Sequence, residues 1–335
     1  MALQYRKFPY LREAAFSALI VLVTSAASLA ADANALTWTQ LPNAGFPARA
    51  GFASAYDPVS KKVIVFGGSD ANGTFFNETW AFDGSTWQKL DTNLAPSARA
   101  SAAMGYDSQR HRLVLFGGFE GFTVFRDTWL FDGATSSWKQ ARTPLHGPPS
   151  ALNAMIFTDP DTGHAIMYGG KRSQFYSRDT YRWTGYRWSH LDPSRSPYPR
   201  AGGINVFDPA HKNVMVFGGL SDLWVTQNTW TWNGRNWRQR QVSTQPDTLY
   251  FTSGAYDPEL GEAVAFGGGS GGVDQTTTWA WTGTEWTLLT PGGAPAAREL
   301  FGTVYYPDTH QFLIFGGWNF DTGEFFSDTW VLEQQ

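Results

Sequence analysis

The chain has 335 residues, with 16 Trp, 25 Phe, 35 Gly, no Cys and a formal net charge of −4. Absent cysteine excludes disulfides, Cys-ligated metals and thiol nucleophiles, and the lack of a basic stripe argues against nucleic acid as a partner. Charged and aromatic residues each make up 16%, a balance that favours strands and Gly-rich turns over helices.

The chain opens on Arg6, Lys7 and Arg12, followed by a mostly apolar stretch from Ala14 to Leu29 and the small residues of Ser28-Leu29-Ala30. That order is the order of a secretory signal cleaved after Ala30. The alternative, a retained anchor, needs ~20 apolar residues, and this stretch is interrupted by Thr24, Ser25 and Ser28. We therefore expect a signal peptide over residues 1–30. Residues 31–335 then form one secreted or periplasmic domain, with no membrane span in the mature chain.

From there the sequence repeats itself. Apolar runs ending in an aromatic residue (VIVF, LVLF, AIMY, VMVF, AVAF, FLIF) each stop at a Gly-Gly pair, whose first members are Gly67, Gly117, Gly169, Gly218, Gly267 and Gly316. The period is 49 to 52 residues, in the range of a propeller blade. About ten residues after each pair comes a Thr-aromatic step, at Trp80, Trp129, Tyr181, Trp230, Trp279 and Trp330. A two-residue turn follows, such as Asp83-Gly84 or Asn233-Gly234, of a composition suited to tight hairpins. Each unit thus supplies four strands, and the fourth carries a second Trp: Trp38, Trp87, Trp138, Trp188, Trp237 and Trp286. This last series begins before the first Gly-Gly pair and has no member after Trp330. The strand around Trp38 must then complete the last blade, which closes the ring and leaves no unpaired edge. The expected fold is all-β, a six-bladed propeller.

The Gly-Gly pair, the third-strand aromatic and the fourth-strand Trp at matching offsets resemble the kelch repeat, of the galactose-oxidase-like central-domain type. The resemblance spans residues 36–335 and implies a bacterial-style secreted member. It specifies fold far better than function, because kelch propellers include protein-binding scaffolds, glycan-related enzymes and a copper oxidase. The copper chemistry implied by that last relative needs a thiol-crosslinked tyrosine, which a chain without Cys does not have.

Comparison among the six units separates scaffold from candidate site. Arg49, Arg99, Arg200 and Arg298 share one offset, eight residues before the end of the first strand, with Ala151 and Leu249 in the equivalent places. Placed at the channel mouth, these arginines are read as structural by their recurrence; the alternative is a carboxylate-binding cluster. Phe76, Phe125 and Phe326 also share an offset and are assigned to packing. The loops after the Gly-Gly pairs diverge, and loops on a rigid scaffold carry function. From these loops Phe122, Arg172, Tyr176, Trp224, Trp318 and Asp321 are the expected ligand-binding residues.

No catalytic triad or zinc motif is legible, and no metal or cofactor is expected. A calcium ion held by Asn319, Asp321 and Glu324 is the one open alternative. The leading functional expectation is a monomeric extracytoplasmic binding module that presents an aromatic loop face to a protein or glycan. The rivals are a sugar-modifying enzyme, as the resemblance to kelch-type sialic acid epimerases implies, and a structural envelope component.

Overall fold

The computed structural model describes residues 36–42, 44–142, 147–172 and 174–334; the expected signal segment, residues 1–30, lies outside them. The described chain forms six four-stranded antiparallel sheets and two additional two-stranded hairpins. Blade 1 runs from the axis outward through Ala53–Asp57, Lys62–Phe66, Thr79–Phe82 and Trp87–Leu90. The inner strands of neighbouring blades contact one another around the whole ring, including Ala53–Asp57 of blade 1 against Gly302–Tyr306 of blade 6. The outer strand of blade 6 is Leu36–Gln40, paired antiparallel with Thr329–Gln334 so that Trp38 stands opposite Leu332. The fold is the expected six-bladed propeller, closed by the N-terminal strand.

There is no single core. The second strand of each blade is buried on both faces, as in Val63 to Phe66, because a propeller sheet has a neighbouring sheet on either side. The apolar side chains gather into six separate wedges, each shared by two blades. One wedge joins Val63, Val65 and Phe82 of blade 1 to Leu313, Phe315 and Val331 of blade 6.

The outer-strand tryptophans fasten these wedges. Each donates its indole N–H to the hydroxyl of the threonine that opens the third strand of the preceding blade. The pairs are Trp87 to Thr329, Trp138 to Thr79, Trp188 to Thr128, Trp237 to Thr180, Trp286 to Thr229 and Trp38 to Thr278, at 2.8–3.2 Å. All six threonines are buried. A buried indole N–H needs a partner, and the Thr-aromatic step of the sequence supplies it in every blade.

The Gly-Gly pairs make a second set of inter-blade bonds. The second glycine of each pair, at φ +87° to +98°, donates its N–H to a backbone carbonyl of the next blade at 2.7–3.0 Å, as Gly68 does to Arg99. A Cβ on the first glycine would lie 2.2–3.1 Å from that same carbonyl, so the close approach itself requires glycine.

A third set encircles the axis. The N–H of Ser101 donates to Gly51, Asn153 to Ser101, Gly202 to Asn153, Phe251 to Gly202, Leu300 to Phe251 and Gly51 to Leu300, all at 2.7–3.0 Å. These six residues have φ between +49° and +66°. Four are not glycine, and such strained conformations persist where the surroundings over-determine them; here a closed hydrogen-bonded circle does so.

Deleting Leu36–Leu41 should therefore do more than shorten a tail. It removes the buried Trp38 side chain, worth about 3 kcal/mol by area alone, the whole pairing with Thr329–Gln334, and the partner of Thr278. Against a typical total of about 5–15 kcal/mol, thermal denaturation should show a much lower midpoint or aggregation; an unchanged midpoint would remove this strand from the ring.

Candidate functional site on the loop face

The loops after the Gly-Gly pairs and the segments entering the inner strands open on one face. Behind that face runs an axial channel of about 350 Å³, fenced by the circle of Gly51, Ser101, Asn153, Gly202, Phe251 and Leu300. Among the described residues, no charged side chain lines it.

The four repeated arginines do not stand at the channel mouth, which corrects the sequence expectation on their position. Arg49, Arg99, Arg200 and Arg298 are 0–1% exposed. Each donates to the carbonyl of the first glycine of its own blade, at 2.9–3.1 Å. Each also donates to Glu78, Asp127, Asn228 or Asp328, at 2.6–3.0 Å. These same acceptors take the indole N–H of Trp80, Trp129, Trp230 and Trp330. Phe76, Phe125 and Phe326 lie over the guanidinium groups of Arg49, Arg99 and Arg298 at 4.3, 3.9 and 4.1 Å. The arginine thus pins the root of each loop, with every contact pointing into the blade.

The two departures from the pattern are compensated locally. In blade 3, where Ala151 replaces arginine, Arg172 comes from the loop instead and donates to Asp179 and Ser177. In blade 5, Leu249 faces a unit in which Thr277 stands where the others carry an acid or Asn228, and Leu249 is buried in the apolar wedge. Arg172, expected as a ligand contact, thus occupies a scaffold pairing.

The remaining candidates fall into separate sectors. Phe122 is fully exposed at the tip of the hairpin formed by Phe119–Glu120 and Thr123–Val124 in blade 2. Tyr176 of blade 3 is half-buried under the Lys171 ammonium, 5.3 Å from its ring. Its backbone N–H reaches the Asp222 carboxylate of blade 4 at 3.5 Å. Trp224 is 51% exposed and packs edge-on against Tyr198, itself 57% exposed. On the same two loops Leu223 and Phe175 are 78% and 68% exposed. Leu223 and Tyr198 had no place among the expected residues: one is not aromatic, and the other sits in the segment between blades. Blades 3 and 4 together therefore carry four exposed large apolar side chains, of which Tyr198 and Trp224 are in contact, whereas Trp318 and Asp321 belong to blade 6.

The junction of blades 5 and 6 is acidic. The Asp274 carboxylate accepts the N–H of Phe320 at 2.6 Å, and Asp321 accepts the N–H of Asp274 at 3.1 Å, so the two loops clasp each other. Glu299, 4% exposed, accepts the Trp318 indole N–H at 3.0 Å. Burial first, and then the neighbouring Asp274 charge, push the Glu299 carboxyl up to about 8, with Asp321 adding to the effect and the Trp318 hydrogen bond opposing it. Burial likewise raises Asp274 and Tyr250, which also faces Glu299. Sequence reasoning missed Glu299, yet the internal comparison held a signal: Ala50, Ala100 and Ala201 occupy its offset in blades 1, 2 and 4. Of the side chains proposed for calcium, Asn319 is turned inward, donating to the Ala297 carbonyl and accepting from Thr322 N–H. Asp321 is engaged with Asp274, and among the described residues no three His, Asp or Glu are grouped as metal ligands.

The raised Glu299 has a signed consequence for stability. Its favourable contribution is fully present below the ordinary carboxyl value of 4.5 and is lost as pH rises through about 8. Glu299→Gln, which keeps the shape and cannot ionise, should gain stability relative to the wild type as pH rises across that window. Paired urea titrations at several pH values should show the gap widening; a constant gap would mean that Glu299 ionises normally.

No curated protein matches the chain. The solved structure described as "Structure of YjhT" superposes with a TM-score of 0.69 at 15% identity, covering 88% of this chain and 99% of that one; at that identity the likeness is one of fold. The family model for the KLHDC2/KLHL20/DRC7 Kelch-repeats domain matches residues 24–219, more than half of the sequence, and the chain belongs to the kelch-repeat family.

Proposed function

We propose that this kelch propeller is an extracytoplasmic binding module that captures a protein on the loop face of blades 3 and 4. The observation that carries the reading is the run of exposed apolar side chains there: Phe175, Tyr198, Leu223 and Trp224. Each is large, and none is needed by the inter-blade wedges. Large exposed apolar side chains gathered on two neighbouring loops mark a contact surface, and aromatic anchors dominate binding energy at such surfaces. The mix of Leu223 and Phe175 with the two flatter rings favours a protein over a glycan, since stacking on sugars uses ring faces alone. Export rests on the order of residues 1–30: basic, apolar, then small.

A second reading has one observation behind it. Glu299, held in its neutral form near pH 7 beside Asp274 and Tyr250, has the tuning of a general acid, which would suit a sugar-modifying enzyme. Turnover of neutral or acidic sugars followed by NMR, abolished in Glu299→Gln, would favour it.

For the binding reading, protein recovered from outside the cytoplasm should have an intact mass starting at Ala31 or within a few residues of it. Used as bait, it should retain a protein that the Phe175→Ser/Leu223→Ser/Trp224→Ala variant does not. Loss of ~2 kcal/mol at one true anchor weakens binding about thirtyfold. Lys61→Ala/Glu259→Ala, exposed in turns on the opposite face, is the matched control. Retention by the triple variant with loss in the control would place binding on the wrong face; retention of glycans alone would exclude a protein ligand.

A further inference from the structure

The charge of the loop face is unevenly spread, although the whole chain is acidic at −4. Of the six loops that follow the Gly-Gly pairs, those of blades 1, 4, 5 and 6 contain no Lys or Arg; the four cations Arg126, Lys171, Arg172 and Arg178 all fall in blades 2 and 3. Arg172 is committed to Asp179. Among the described residues, neither Lys171 nor Arg178 has a carboxylate within ion-pair distance. Lys171 lies over the Tyr176 ring. Arg178 is exposed on the same loop, and the buried Tyr168 phenol at the root of that loop donates to the Tyr198 carbonyl. Tyr198 in turn packs on Trp224. Both cations belong to the blade 3 loop that carries Phe175 and that meets the blade 4 loop of Leu223 and Trp224 where the Tyr176 N–H reaches the Asp222 carboxylate, so this side holds two unpaired cations beside one acid, while the loops of blades 5 and 6 hold Asp274 and Asp321 and no Lys or Arg.

Building on the binding reading above, we propose that blades 3 and 4 dock an acidic protein segment carrying an apolar anchor. Its carboxylates lie against Lys171 and Arg178, and its anchor sits among Phe175, Tyr198, Leu223 and Trp224. Charge complementarity selects the segment: Lys171 and Arg178 outnumber Asp222 on this side, whereas the loops of blades 5 and 6 offer the same carboxylates acids alone. Exposed charges at the border of a patch act mainly on association rate and salt sensitivity, whereas the apolar anchor governs lifetime.

Panning a phage-displayed random peptide library against the full-length protein tests this directly. The enriched peptides should be rich in Asp and Glu around a Trp, Phe or Leu. Their binding should fall at least about tenfold in Lys171→Glu/Arg178→Glu and weaken with added salt. The Leu223→Ser/Trp224→Ala variant should also lose them, with melting of both variants confirming the fold. Neutral or basic peptides that need Leu223 and Trp224 but ignore the charge reversal would overturn the acidic assignment and leave the binding face standing. Peptides indifferent to both variants, or no enrichment over a blank surface, would overturn both.

Discussion

The hydrogen bond from an outer-strand tryptophan to a third-strand threonine of the preceding blade is the constraint on which the rest of this molecule depends. Propeller blades share no continuous sheet, so something other than ladder bonding must hold each blade to the next. Bulk does part of this: Trp87, for instance, fills the wedge between blades 1 and 6. Direction does the rest, because a buried indole N–H tolerates few placements of its acceptor. The same pair recurs at all six junctions, and it succeeds at the last only because Trp38 arrives from the other end of the chain.

Once the junctions are fixed, the remaining repeated residues have little freedom. The glycine pair must pass close to the neighbouring carbonyl, and the buried arginine must hold the loop root beneath it. This is why the arginines make poor ligand candidates despite their charge: the guanidinium donors are already aimed at Gly67, Gly117, Gly218 and Gly316. The exceptions follow the same logic. Arg172 reaches from the loop to Asp179 where Ala151 leaves the usual position without a cation, and blade 5 removes both partners together, leaving no unpaired buried charge. Above the loop roots, side chains answer to no such requirement, and there the exposed apolar surface of blades 3 and 4 is found.

Much of the fold was legible because it is written six times. The shifted tryptophan series gave ring closure, and the positions of Phe76, Phe125 and Phe326 gave their packing role, though their partner, the arginine, emerged only in three dimensions. The arginines' placement was not legible: an offset along a strand does not say whether a side chain turns into the blade or toward the axis. The candidate site was only partly legible. Trp224 stands out in the sequence by its aromaticity, whereas Leu223 does not, because apolar aliphatic residues are ordinarily core. Glu299 was passed over because one carboxylate carries no motif, and its burial depends on Trp318 and Asp274, 19 and 25 positions away in sequence. Residues that act through distant neighbours leave no local pattern to read.

If the ring is held by six equivalent junctions, it must open as one. Native-state hydrogen exchange of the six junction indole N–H groups, with the backbone amides of Gly51, Ser101, Asn153, Gly202, Phe251 and Leu300, measures this most directly. One shared opening free energy is expected for all of them, close to that of global unfolding. Markedly faster exchange at Trp38 and its neighbours than at the other five junctions would contradict it, since the N-terminal strand would then be an appendage to five blades rather than the closure of six.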